Sequence, residues 1–211
     1  MWPSRRGNAR RAVEGSMHQD DAELIGRTQG GDQAAFNLIV ERYQSNVYNL
    51  SARILGDRTA AEDITQETFI SAYRAISRFR GGSLRAWLLR IASNHSYDWI
   101  RASRRRPQVS LDQSLLNPGF SPPSTGPSPE QEALRSELRV ELQRAILTLP
   151  PDQRTTLVLI DVQGMSYEET AEATRASIGT VKSRMSRARS RVRNHLLQHG
   201  ELLPDRFRQR E

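Results

Sequence analysis

The sequence predicts an all-α protein made of two helical domains joined by a proline-rich linker. Apolar residues recur at helical spacing over most of the chain, and no segment alternates with period two. Six of the ten prolines fall within residues 107–129, PQVSLDQSLLNPGFSPPSTGPSP, a composition that bars both helix and central strand. A short capped helix, a tight break and a longer basic helix close the second half, the pattern of a helix-turn-helix.

Residues 1–17 read as a disordered leader: they are basic, lack helical periodicity and carry no apolar core of a secretory signal. Met17 is a second candidate start. The first lobe covers residues 18–106. Asp32 is placed to cap a helix carrying Phe36, Ile39, Val40, Tyr43, Val47, Leu50 and Ile54, and Gly56 is placed to end it. A second helix runs from about Ala60 to Ser77 with Ile64, Phe69, Ile70, Tyr73 and Ile76 inward. The stretch RFRGGS interrupts it, and Ser83 opens a third helix with Leu84, Trp87, Leu88, Ile91 and His95 on one side. That helix ends in RASRRRP, where Pro107 forbids continuation.

After the linker, the second lobe covers residues 130–200, followed by a tail, 201–211. Leu134, Leu138, Leu142, Ala145, Ile146 and Leu149 define one helix, closed by Pro150 and Pro151. A short helix with Leu157, Val158 and Ile160 ends near Gly164. Ser166 and Glu169 then form a capping box for SYEETAEAT, and Ser177 can cap the final helix.

That final helix, SIGTVKSRMSRARSRVRNHL, places six basic residues between Lys182 and Arg193 without an acid. Val181, Met185, Ala188, Val192 and Leu196 share one apolar stripe, with Ser183, Ser186, Arg187, Ser190 and Asn194 opposite. A helix that is merely solvated mixes Glu with Arg, because pairs four apart support it. A strip of small residues with basic edges instead lets a backbone approach a polyanion. The net charge of +7 agrees, and with Lys182 the only lysine, arginine supplies nearly all of the positive charge. Arginine suits phosphates and guanine edges, both of which it binds bidentately.

The residues then resemble a known family. LPPDQRTTLVLIDVQGMSYEETAEATRASIGTVKSRMSRAR is similar to region 4 of bacterial sigma factors of the extracytoplasmic-function group. AEDITQETFISAY, FRGGSLRAWLLRIASN and NHSYDWIR resemble region 2 of the same group. The resemblance spans residues 20–198. It implies a cytoplasmic, non-enzymatic factor that binds the two largest subunits of core RNA polymerase and directs initiation at promoters of a stress or envelope regulon. An anti-sigma factor is a further implied partner; no cofactor and no metal is implied.

By position, the resemblance gives Glu62, Asp63, Gln66 and Glu67 the docking role on core polymerase. It gives Phe79, Arg80 and Ser83, in the loop, and Asn94, Asp98 and Arg101, on the following helix, the −10 element. The glycines of that loop permit close approach to a nucleotide, and Asn94, Asp98 and Arg101 share one helix face. Arg175, Thr180, Lys182, Ser183, Ser186 and Arg187 fall to the −35 element, and Arg104, Arg105 and Arg106 to phosphate. Two departures from the family pattern stand out. FRGGSLRAW is one residue shorter than a common form, and Arg175 stands where glycine is usual, beside Thr170 and Thr174 in place of Ile or Leu. Either the turn at Arg175 takes another conformation or the lobe gives up stability there.

Rival classes remain at this stage. A helix-turn-helix regulator acting without polymerase is the main one, and the acidic AEDITQETF segment argues against it. The chain has no cysteine, and of its four histidines only His195 and His199 have metal-like spacing, with no third ligand nearby. A membrane-surface helix would need a broader apolar stripe than residues 181–196 offer, and no run of apolar residues is long enough to span a bilayer.

Overall fold

The computed structural model describes residues 20–103 and 129–198. The leader 1–17, the arginines at 104–106, the linker residues 107–128 and the tail 201–211 lie outside the described residues. All regular structure among the described residues is helical. Helix α1 covers residues 20–29, α2 Gln33–Leu55, α3 Arg58–Ala75 and α4 Leu84–Ser103. In the second lobe α5 is Pro129–Thr148, α6 Pro151–Leu157, α7 Tyr167–Thr174 and α8 Ile178–Gln198.

Local chemistry sets these boundaries. Asp32 Oδ1 accepts from the N–H groups of Ala34 and Ala35 at 2.9 and 3.2 Å, two of the donors that a helix start leaves without partners. Gly56 ends α2 in the left-handed conformation, φ 69°. Asp57 caps α3 and Ser83 caps α4 in the same way as Asp32. A 3-10 turn, Ile76–Arg78, leads from α3 into the loop. Beyond α6 the chain widens into a π-helical turn, Val158–Val162, whose closing bond runs from Gln163 N–H to Val158 O at 2.9 Å.

Ile39, Val47, Leu50 and Ile54 of α2 pack with Ile64 of α3 and Leu84, Leu88 and Leu89 of α4. One expectation fails here. Ile70 and Tyr73 are 51% and 45% exposed instead of inward. Helical geometry gives the reason. Ile64, Thr68, Ala72, Ile76 and Phe69 fill an arc of about 140°, while Ile70 lies about 240° round from Ile64 and Tyr73 at the arc's edge.

The two lobes share one hydrophobic core, which the sequence did not reveal. Polar contacts stitch their junction. Arg154 of α6 donates to Ile54 O at 2.7 Å, and to Leu147 O and Leu149 O at 2.5 and 3.1 Å. These are carbonyls at the C-terminal ends of α2 and α5, so one guanidinium satisfies both ends and complements both dipoles. Arg53 and Gln143 exchange hydrogen bonds beside it. Arg85 of α4 donates to the backbone and side-chain oxygens of Gln163, whose amide reaches Asn46 O.

Gly56 sits in this junction with Leu147 against it, so an added Cβ would lie 2.7 Å from Leu147 Cδ2. Gly56→Ala is therefore expected to cost about 1–2 kcal/mol from the positive φ, with a smaller addition from the overlap because the Leu147 methyls can turn aside. Leu147→Ala should relieve only the overlap. A four-variant cycle in urea unfolding checks this: the coupling measures the overlap, and zero coupling would mean that Leu147 turns aside and the positive φ carries the whole cost.

Candidate nucleic-acid interface

The helix-turn-helix is assembled by three local devices. Ser166 and Glu169 form the capping box, with Glu169 N–H donating to Ser166 Oγ at 3.0 Å and Ser166 N–H to Glu169 Oε2 at 2.8 Å. Arg175 occupies the left-handed region, φ 50° and ψ 42°, the one non-glycine residue with positive φ among the described residues. Of the two alternatives left by the sequence, the turn thus keeps the left-handed conformation and places a strained Arg in it. Ser177 Oγ accepts from Thr180 N–H at 3.1 Å and lies 2.9 Å from the Thr180 hydroxyl, which fixes the start of α8.

Thr174 and Thr170 stabilise the turn unevenly. The Thr174 hydroxyl donates to Thr170 O at 2.7 Å. Thr170 itself is fully buried, and its hydroxyl finds no partner among the described residues.

Of the expected stripe, helix α8 buries Val181, Met185, Ala188 and Val192 and leaves Leu196 half-buried. Its outer face exposes Lys182, Ser186 and Arg187, with Ser183 half-buried and bonded to Thr180 O. Not every basic residue is available, however. Arg184 pairs with Asp152 at 3.1 Å, and Arg189 pairs with Asp161 through two bonds of 3.1 and 2.6 Å. Lys182, Arg187, Arg191 and Arg193 carry no ion pair among the described residues, and these define the electropositive face. Both pairings come from α6 and the turn after it, so helical spacing within α8 could not disclose them.

In the first lobe, Glu62, Asp63, Gln66 and Glu67 all project from α3 into solvent. Glu62 pairs with Arg58, and Glu67 lies 3.7 Å from His95. Exposed Ile70 and Tyr73, four and seven residues after Gln66, continue the same face and give the acidic patch an apolar flank.

The loop after α3 contains Gly81 and Gly82 at φ 108° and 91°, conformations that require glycine although a Cβ would meet open space. Phe79 is half-buried with its ring 5.2 Å from that of Trp87, while Arg80 is exposed. Ser83 is occupied as the α4 cap. On α4, Asn94, Asp98 and Arg101 are exposed on one face, and no ion pair joins Asp98 to Arg101 among the described residues. Asn94 and Tyr97 line a cavity of about 200 Å³ opposite Asp152, Thr155, Thr174 and Arg184. The structure thus brings one face of α4 against the second lobe. No cluster of metal-ligating side chains occurs among the described residues, and none of the described helices is long and apolar enough to cross a membrane.

Residues 39–106 match the sigma-70 region 2 family and residues 139–192 the sigma-70 region 4 family. The chain is 38% identical to the RNA polymerase sigma-H factor of Pseudomonas aeruginosa, over 82% of this chain and 92% of that protein. It is 41% identical to the ECF RNA polymerase sigma-E factor of Escherichia coli K12, over 82% and 93% respectively. Among solved structures, the sigma factor RpoE of Bartonella quintana, crystallised with the anti-sigma factor NepR, has a TM-score of 0.59 at 27% identity, covering 76% of this chain and 96% of that one. CnrH, solved with the cytosolic domain of CnrY, shares the fold with a TM-score of 0.61 at 24% identity, over 84% and 97%.

Replacing Arg175 by Gly removes a left-handed strain of about 1–2 kcal/mol and adds less than that in backbone entropy. Arg175→Gly is expected to raise the unfolding free energy by roughly 0.5–1 kcal/mol. Thermal and urea unfolding check the sign; a loss of stability would mean that the Arg175 side chain supports the turn.

Proposed function

The chain belongs to the sigma-70 family of RNA polymerase sigma factors, in its extracytoplasmic-function group, and from that premise we propose how its surfaces share promoter-directed initiation. Sigma factors are not catalytic enzymes, and this chain directs transcription as a recruiting subunit, in the cytoplasm where polymerase and chromosome meet. The exposed face of Glu62, Asp63, Gln66 and Glu67 docks on core polymerase, with Ile70 and Tyr73 adding apolar area. Phe79, Arg80 and Ser83 in the loop, together with Asn94, Asp98 and Arg101, receive the −10 element. Arg175, Thr180, Lys182, Ser183, Ser186 and Arg187 address the −35 element, and Arg193 meets phosphate.

The observation that carries this reading is the placing of an acidic face on one lobe and an acid-free basic face on the other. A regulator that acted alone would have no use for the first.

The packed lobes cannot serve both elements at once. The two elements are about 25 base pairs apart, which at about 3.4 Å per pair is roughly 85 Å of straight duplex. Helix α2, the longest described element with 23 residues, is only about 35 Å long. The lobes therefore part on polymerase, and linker residues 107–128, if extended at about 3.3 Å each, reach roughly 70 Å. An anti-sigma partner that grips both lobes would keep them together. The Bartonella quintana relative was crystallised with an anti-sigma factor, NepR, which supports a partner of this kind for the present chain.

Run-off transcription with matched core polymerase tests the reading: promoter-dependent product should need this chain, and no product would overturn it. Within α8, Arg187→Ala should cost about 1–3 kcal/mol on the preferred −35 sequence and relax discrimination there. Arg193→Ala should weaken all sequences alike and lower the salt slope by roughly one unit. Competition binding by holoenzyme at several salt concentrations separates the two; uniform losses from both would mean that α8 holds phosphate without reading bases.

A further inference from the structure

The N-terminal helix α1 is fixed more firmly than a leading helix requires. Asp21, 4% exposed, accepts from the Tyr43 hydroxyl at 2.5 Å and from Arg42 at 2.7 Å. Burial, and then the bond to Asp21, raise the Tyr43 hydroxyl above its ordinary range, so it stays a donor. Leu24 enters the shared core one turn later. At the other end Arg27 donates twice to Asp32 Oδ2, at 2.9 and 2.8 Å, and holds that carboxyl below the usual carboxylate range. The same Asp32 caps α2, and the Gly30–Gly31 turn returns Asp32 N–H to Arg27 O at 3.0 Å. Both ends of α1 are thus tied to α2.

What this rigidity positions is Gln29. Its side-chain amide crosses to the far end of α3 and donates to Ile76 O at 2.9 Å and Phe79 O at 3.2 Å. Those carbonyls flank the turn from which the loop Phe79–Ser83 leaves. The loop has few other restraints: the Phe79 ring against Trp87, the Phe79 N–H on Ile76 O, and the Ser83 cap at its exit. Between them Arg80, Gly81 and Gly82 are exposed, with two successive positive-φ glycines. A segment with that much freedom holds one geometry only if its entry is held, and both hydrogen bonds from Gln29 act at the entry. Residues 20–38 also lie outside the matched region 2 segment, which begins at residue 39.

We propose that Gln29 is a positioning residue for the −10 loop: its amide clamps the Ile76 and Phe79 carbonyls, so that Phe79 and Arg80 are preset for an unstacked base. The inference rests on the reading of that loop given above. Pre-setting a loop before it meets its ligand removes an ordering cost from the bound state, so loss of the clamp should appear in base discrimination rather than in docking.

The test uses the full chain with core polymerase. Gln29→Glu keeps the shape but replaces the N–H donors with a carboxylate facing two carbonyl oxygens. Gln29→Lys restores donors on a stem of similar reach. Initiation is compared on a promoter with an intact −10 element and on one with a substituted −10 base, beside core affinity and melting temperature. Gln29→Glu is expected to lower the intact-to-substituted ratio by about five- to tenfold, the scale of one or two lost hydrogen bonds. Core affinity and melting temperature should hold, and Gln29→Lys should recover most of the ratio. An unchanged ratio, or parallel falls in ratio, affinity and melting temperature, would overturn the proposal. Arg80→Ala tells the two failures apart. If Arg80→Ala moves the ratio and Gln29→Glu does not, the clamp alone is wrong; if neither moves it, the loop does not read the −10 element and the clamp falls with it.

Discussion

The arrangement of the whole molecule depends on how the C-terminal end of α2 is satisfied. A helix end leaves carbonyls without partners, and one that is buried needs donors from outside itself. Here Gly56 turns the chain so sharply that Leu147 can lie against it, and Arg154 fills the resulting corner with three donated bonds. Because the bond to Ile54 O reaches α2 from the second lobe while the other two close α5, one cation ties the end of one domain to the other. The Arg53–Gln143 and Arg85–Gln163 contacts line up along the same seam, and the apolar core runs through it.

The same economy of charge shapes the basic face of α8. Helix α8 carries its basic residues in a nearly unbroken run, yet Asp152 and Asp161 draw Arg184 and Arg189 to the flank of the lobe. The π-helical turn contributes, since Asp161 sits within it. The remaining cations, Lys182, Arg187, Arg191 and Arg193, leave the small residues Ser186 and Ser190 accessible between them. A helix with all six cations free would bind any duplex strongly; partial neutralisation lowers that general attraction and leaves base contacts a larger share of the discrimination.

How far the sequence disclosed this depends on the range of each interaction. Caps are local, so Asp32, Gly56, Ser83, the Ser166–Glu169 box and Ser177 were all legible, as were the buried stripe of α8 and the left-handed option at Arg175. Ile70 is apolar, yet its helical angle turns it outward, whereas Tyr73 lies at the arc's edge, with its ring on Phe36 and the rest exposed. The pairings of Arg184 and Arg189, the Arg154 seam and the Gln29 clamp join residues whose proximity only the tertiary fold creates. A proline-rich spacer reads as a divider between independent domains, and nothing in its composition reports that the domains beyond it share a core.

That shared core need not oppose function. The described seam bonds are few, and each exchanges a protein partner for water when the lobes part, so each contributes about 0.5–1.5 kcal/mol net, or about 1.5–3 kcal/mol where an Arg donates. Arg53, Arg85 and Arg154 are half-buried. Apolar contact across the seam adds to the cost of opening, but a partner surface that covers the released residues offsets it. A nanomolar docking interaction supplies about 12 kcal/mol, the same scale as those polar contacts together. On the function proposed above, closure is a resting arrangement held by replaceable bonds, which yields when a larger interface competes for the same surfaces.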